Sequence, residues 1–167
     1  MDTSKLEKAL KSRLRGPQNR IAILGIGSEL RGDDVAGMAV AGELEKYRSR
    51  TGKRTGLKVF FGSTAPENLT GEIRSFKPTH LIIVDSADLK KKPGSAVLIE
   101  PEDAQGVSFC THRLPDKILA DYLIATVKCE VMIIGIQPKT LKFGSLPSKE
   151  VLGAVKGVSG VIKKIVS

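Results

Sequence analysis

The 167-residue chain has no tryptophan, two cysteines, two histidines and only five Asn or Gln residues. Cys110 and Cys129 show neither metal-pair nor redox spacing, so both are expected as free thiols in a reducing cytoplasm. Two histidines without an HExxH pattern leave no resident zinc protease of the usual sort. Long apolar runs are also missing: stretches such as "VMIIGI" (131–136) are far too short to span a bilayer, and no stable membrane insertion is expected. The opening "MDTSKLEKALKSRLRG" lacks the apolar centre of a secretory signal. Scarce Asn and Gln beside abundant Lys and Arg lean toward a heat-adapted source.

The charge is unbalanced, at +9 with pI near 9.7, which raises the question of nucleic acid. The lysines are scattered, however, and seven aromatic residues offer few platforms for bases, so no nucleic-acid partner is expected. An acidic protein partner or plain solubility accounts for the excess equally well.

Apolar content of 41% with 27% charged residues, at this length, suits one core-bearing domain. Residues 1–19 read as a basic N-terminal extension. Leu6, Leu10 and Leu14, four apart, line one side of a short surface helix there, lying on the domain or fraying from it. Residues 20–167 then alternate. "RIAILGIG" (20–27), "GLKVFFG" (56–62), "HLIIVD" (80–85) and "CEVMIIGI" (129–136) read as strands. "PGSAVLIE" (93–100) follows too soon for a crossover helix and reads as an edge strand, possibly antiparallel. Helices are expected over 33–47, over 65–76 opened by Pro66, over 114–127 with Leu114, Ile118, Tyr122 and Ala125 along one side, and from 148 to 166. The pattern predicts a three-layer α/β/α domain with a mostly parallel, five-stranded twisted sheet.

In such sheets ligands sit beyond the carboxyl ends of the strands. The first strand runs into "GIGSELRGDD". A dinucleotide fingerprint would need glycine where Leu30 stands, and a phosphate loop would need lysine where Asp33 stands, so no nucleotide is expected. Carboxylates there suit a metal ion or an activated water instead, and the glycines would let another backbone come close. One aspartate is expected to cap the following helix; the other, Asp34 in preference, is left for chemistry. Asp85 ends the third strand where the crevice should be. His80 begins that strand and reads as structural. His112, in "SFCTHRLPDK", lies on a connection long enough to overhang the crevice, where a neutral imidazole can ligate metal or carry a proton. A plain structural role stays open for each. Asp34, Asp85 and His112 together make a donor set suited to a borderline divalent metal with open positions, or to acid/base activation of water.

These residues resemble the nickel-iron hydrogenase maturation endopeptidases, which trim the C-terminal extension of the hydrogenase large subunit. "GIGSELRGDDVAG" is similar to that family's opening motif G-x-G-N-x-x-x-x-D-[DE]-x-x-G, with Asp34 at its first acidic metal-contacting position. "LIIVDSAD" places Asp85 at the second, and "THRLPDKILADYL" resembles the segment that contributes the histidine, here His112. "STAPENL", "PGSAVLIEPED" and "IIGIQPK" resemble the hydrogenase-3 branch in particular. Ser28 departs from the family's asparagine, and Phe61 stands where an aspartate is common. The resemblance implies a phosphorylase/hydrolase-like fold and a cytoplasmic protease acting on the nickel-loaded large-subunit precursor. The nickel would come with that substrate, to be recognised by the two acids and the histidine, with Asp34 or Asp85 catalytic. A non-enzymatic nickel chaperone for hydrogenase assembly is the alternative from another class.

Overall fold

A computed structural model describes residues 3–14, 16, 20–51, 56–109 and 116–167. Five strands form one sheet: β1 (Ile21–Ile26), β2 (Leu57–Ser63), β3 (His80–Asp88), β4 (Ala96–Ile99) and β6 (Glu130–Ile136), in the order β2-β1-β3-β6-β4. The pairings of β1 with β2 and β3, and of β3 with β6, are parallel; β4 closes the edge antiparallel to β6. Sequence reading missed β5 (Ser108–Phe109), which pairs antiparallel with Ala87 and Asp88 of β3. Two residues are too few to show a period-2 pattern.

Both faces are covered, and the strand residues alternate accordingly. Ile21, Ile23, Ile82, Val84, Met132 and Ile134 pack with α1 (Ser4–Arg13), α2 (Ala36–Thr51) and α5 (Lys149–Val166). Ala22, Leu24, Leu81, Ile83, Val131 and Ile133 pack with α3 (Thr70–Phe76) and α4 (Asp116–Val127). Continuous apolar strands are the consequence of having both faces buried, which is why these runs read as central strands.

Of the two readings of the N-terminal helix, the structure has it lying on the domain: Leu6, Leu10 and Leu14 are all buried, within the same core as α2 and α5. Two local expectations need correction. On α4 the buried stripe is Leu119, Ala120 and Leu123, whereas Ile118 and Tyr122 are 51% and 43% exposed. Two aliphatic leucines offer a closer fit to the sheet than a tyrosine, whose hydroxyl instead accepts from Arg74 at 3.3 Å. Leu114 lies outside the described residues. The segment after Pro66 begins as a 3-10 turn (Pro66–Leu69) before α3 proper.

Cys129 is a buried free thiol, and burial pushes its pKa up, away from reactivity. Cys110 lies outside the described residues. Among those residues no helix is long and apolar enough to cross a membrane.

Candidate functional site

The chain leaves β1 toward β2 through α2 on one face, then returns past β1 to β3 through α3 on the other. The gap between the carboxyl ends of β1 and β3 is therefore the switch point of the sheet. Asp34 follows β1 in a 3-10 turn (Gly32–Val35) that leads into α2, and Asp85 lies in β3. Both side chains are fully buried. Asp85 does not end its strand as expected, because β3 runs on to Asp88 to meet β5.

Close contacts of backbone with backbone bring the two acids to the same crevice. A Cβ on Gly37 would stand 2.0 Å from the Val84 carbonyl oxygen and 2.3 Å from that of Ile26. Only glycine lets the start of α2 sit on β1 and β3 together, one residue from Asp85 and one turn from Asp34. At Gly27 the backbone takes φ +136, and a Cβ would lie 1.8 Å from the Asp34 carbonyl oxygen. The close backbone approach expected at these glycines is made, at Gly27 and Gly37, by the chain itself.

Each carboxylate is held by named donors. The Ser28 amide donates to Asp34 Oδ2 at 3.2 Å, and the Ser28 hydroxyl accepts from the Leu30 amide at 3.3 Å, so the residue that departs from the family asparagine still organises the turn. The Ser86 amide donates to Asp85 Oδ1 at 2.7 Å. These amide donors fix the orientation of each carboxylate.

Asp33 does something different from the expected helix cap. The 3-10 turn has no side-chain cap. The fully buried Asp33 carboxylate instead reaches across to the β6–α5 connection. It accepts from the amides of Lys139 (2.7 Å), Thr140 (3.1 Å) and Ser148 (2.6 Å), and from the Ser148 hydroxyl (2.9 Å). Ser148 is itself the N-cap of α5, accepting from the Val151 amide at 3.3 Å. An acid expected to cap one helix thus secures the cap of another.

Gln137 is a second residue that sequence reasoning missed. Its buried amide oxygen accepts from the Leu89 and Lys91 amides at 2.7 and 3.2 Å, fixing the turn that follows β3. Its place directly after an all-apolar strand, in "IIGIQPK", was the available signal.

His80, read as structural, lies at the opposite, amino end of β3, buried, with Nδ1 2.9 Å from the Thr79 hydroxyl and Nε2 3.5 Å from Glu130. His112, the third member of the expected donor set, lies outside the described residues. The described crevice therefore brings together Asp34 and Asp85.

Fold and crevice together define a class: a three-layer α/β protein whose switch point is furnished with interior carboxylates where nucleotide-binding relatives of this architecture grip phosphate. Within that class the chain belongs to the hydrogenase maturation protease family, whose model matches residues 38–165. The matched span takes in Asp85 and His112 and begins just after Asp33 and Asp34. The chain is 33% identical over 137 residues to the hydrogenase 3 maturation protease of Escherichia coli K12, covering 81% of this chain and 84% of that one. It is similar to the crystal structure of the NiFe hydrogenase maturation protease HycI from Thermococcus kodakarensis KOD1, with a TM-score of 0.83 at 28% identity, over 98% and 99% of the two chains. The solution structure of the endopeptidase HycI from Escherichia coli matches at a TM-score of 0.71 and 30% identity, over 84% and 86%.

Proposed function

We propose that this hydrogenase maturation protease acts in the cytoplasm on the large-subunit precursor of a nickel-iron hydrogenase of the hydrogenase-3 type. It removes the precursor's C-terminal extension once nickel has been inserted. Asp34, Asp85 and His112 contact the nickel that the precursor carries, supplying the oxygen and nitrogen donors that complete the coordination of a metal already held by thiolates. One of the two carboxylates takes a proton from a water as its oxygen bonds to the scissile carbonyl carbon. The proton then passes to the amide nitrogen as the C–N bond breaks. The observation that carries this reading is the pair of fully buried acids at the switch point of a chain belonging to this family. Burial matters because a carboxylate shielded from bulk water interacts more strongly with a cation or a reacting water.

The test is a processing assay on purified precursor, nickel-loaded and nickel-free. The loaded form should be shortened and the free form left intact. Cleavage indifferent to nickel would overturn the recognition mechanism, and binding without any cleavage would favour the chaperone alternative.

A further inference from the structure

The segment from Lys139 to Ser148 is pinned unusually firmly for a loop whose large side chains point away from the core. Besides the four bonds accepted by the Asp33 carboxylate, the Asp33 amide donates to the Thr140 carbonyl at 2.9 Å, and the Gly144 amide donates to the Leu30 carbonyl at 2.8 Å. Gly32, at φ +57, fits under the loop, where a Cβ would lie 2.6 Å from the Ser145 hydroxyl and 2.9 Å from the Thr140 carbonyl oxygen. Yet Phe143 and Leu146 are 72% and 86% exposed, and Leu30, on the strand of loop bonded to Gly144, is 61% exposed.

A connection held only to complete the fold would turn these apolar groups inward, since burying each is worth about 2 kcal/mol. Here a buried carboxylate with four donors fixes the backbone while the side chains stay in water. Exposed apolar groups on two loop segments joined by the Gly144–Leu30 hydrogen bond mark an interaction surface, and little ordering cost is left for a partner to meet.

We infer that Leu30, Phe143 and Leu146 form the docking surface for an apolar stretch of the precursor polypeptide, and that Asp33 is the positioning residue that fixes this surface beside Asp34. The inference rests on the protease reading above. Continuity with the site selects the occupant: Leu30 lies two residues from Ser28, whose amide holds Asp34, and Asp33 is Asp34's neighbour in the chain. A polypeptide lying across the loop is thereby led toward the two acids.

The experiment uses the full chain and purified nickel-loaded precursor, with cleavage and binding measured separately. In the double variant Phe143→Ser/Leu146→Ser, KM should rise about tenfold or more, with a much smaller change in kcat and an unaltered Tm, because neither side chain enters the core. Asp33→Asn presents an NH2 group to donors. It should raise KM in the same direction and speed hydrogen exchange at the Lys139, Thr140 and Ser148 amides. If Asp33→Asn does not fold, the surface double variant decides alone. Normal KM and affinity in that variant, with the wild-type chain cleaving, would overturn the docking surface and leave the protease reading standing. Precursor binding lost in the variant, while even the wild type fails to cleave, would keep the surface and remove the protease reading. Absence of binding by the wild-type chain would remove both. A variant that changes only the oligomeric state of the free protein would mark the patch as a contact between copies and overturn the inference.

Discussion

The two ends of the sheet are furnished with similar residue types in opposite ways. At the amino end, Glu100 and Glu130 are 36% and 42% exposed at the side chain, Arg13 bridges them, and His80 leans on Glu130. At the carboxyl end, Asp33, Asp34 and Asp85 have no exposure, and the donors identified above are backbone amides and one serine hydroxyl. A mobile ammonium or guanidinium balances an acid at small net gain and is screened by salt. A fixed amide dipole holds a carboxylate in place without calling on a mobile side chain, as the three amides bonded to Asp33 do. The amino end closes the fold through solvent-accessible ion pairs, and the carboxyl end holds its three acids in the interior.

The sharpest way to break that contrast is to neutralise one acid at each end. Asp34→Asn should lower processing of the nickel-loaded precursor at least about 100-fold, the scale of losing an acid/base group. Glu130→Gln should leave processing at the wild-type rate and change stability by less than about 1 kcal/mol. Single-turnover cleavage and urea denaturation of the two variants measure this. Normal cleavage by Asp34→Asn would reduce the interior acids to packing.

Next in size is a test of how the carboxyl end is assembled. Gly37→Ala places a methyl group between two strand carbonyls, and neither neighbour is a flexible side-chain tip. It should destabilise the protein by about 3 kcal/mol and displace Asp34 with it. Gly42, in the same helix, has nothing within 4 Å of a Cβ. Gly42→Ala should be neutral or stabilising by up to about 1 kcal/mol. Equal midpoints for the two variants in denaturant would show that α2 does not depend on contact with β1 and β3.

Those contacts also explain what could and could not be read beforehand. The central strands β1, β3 and β6 were legible because burial on both faces writes itself as unbroken apolar runs, and the edge position of β4 because it follows β3 too soon for a crossover helix. Asp85, expected at a strand end, lies within β3, whereas Asp34 was legible as an acid following a strand. The use of Asp33 was not, since its four donors lie more than a hundred residues away and nothing local distinguishes it from Asp34. The same holds for Gly37, whose constraint comes from Val84, and for α4, where two helical stripes compete and only the sheet decides between them. Local pattern reports how a segment is buried; which remote backbone it meets is a property of the assembled chain.

The smallest effect concerns an acid balanced in the manner of the amino end. Glu7 of α1 lies 2.6 Å from the Lys11 ammonium and 2.7 Å from that of Lys164 in α5. Lys11 first, and Lys164 after it, hold the Glu7 carboxyl below its ordinary 4.5, at about 2. A folded-state pKa below the unfolded one means that the contribution is complete above about pH 4.5 and fades as pH falls toward 2. Wild type should therefore have a slightly higher Tm than Glu7→Gln at pH 6, with the gap closing by pH 2 and shrinking in 1 M salt, because the pair is solvent-accessible. Thermal melts of both proteins across that range measure the gap. If the gap persists at pH 2, or ignores salt, Glu7 stabilises α1 through packing, and the division between cation-balanced and amide-held acids does not extend to this helix.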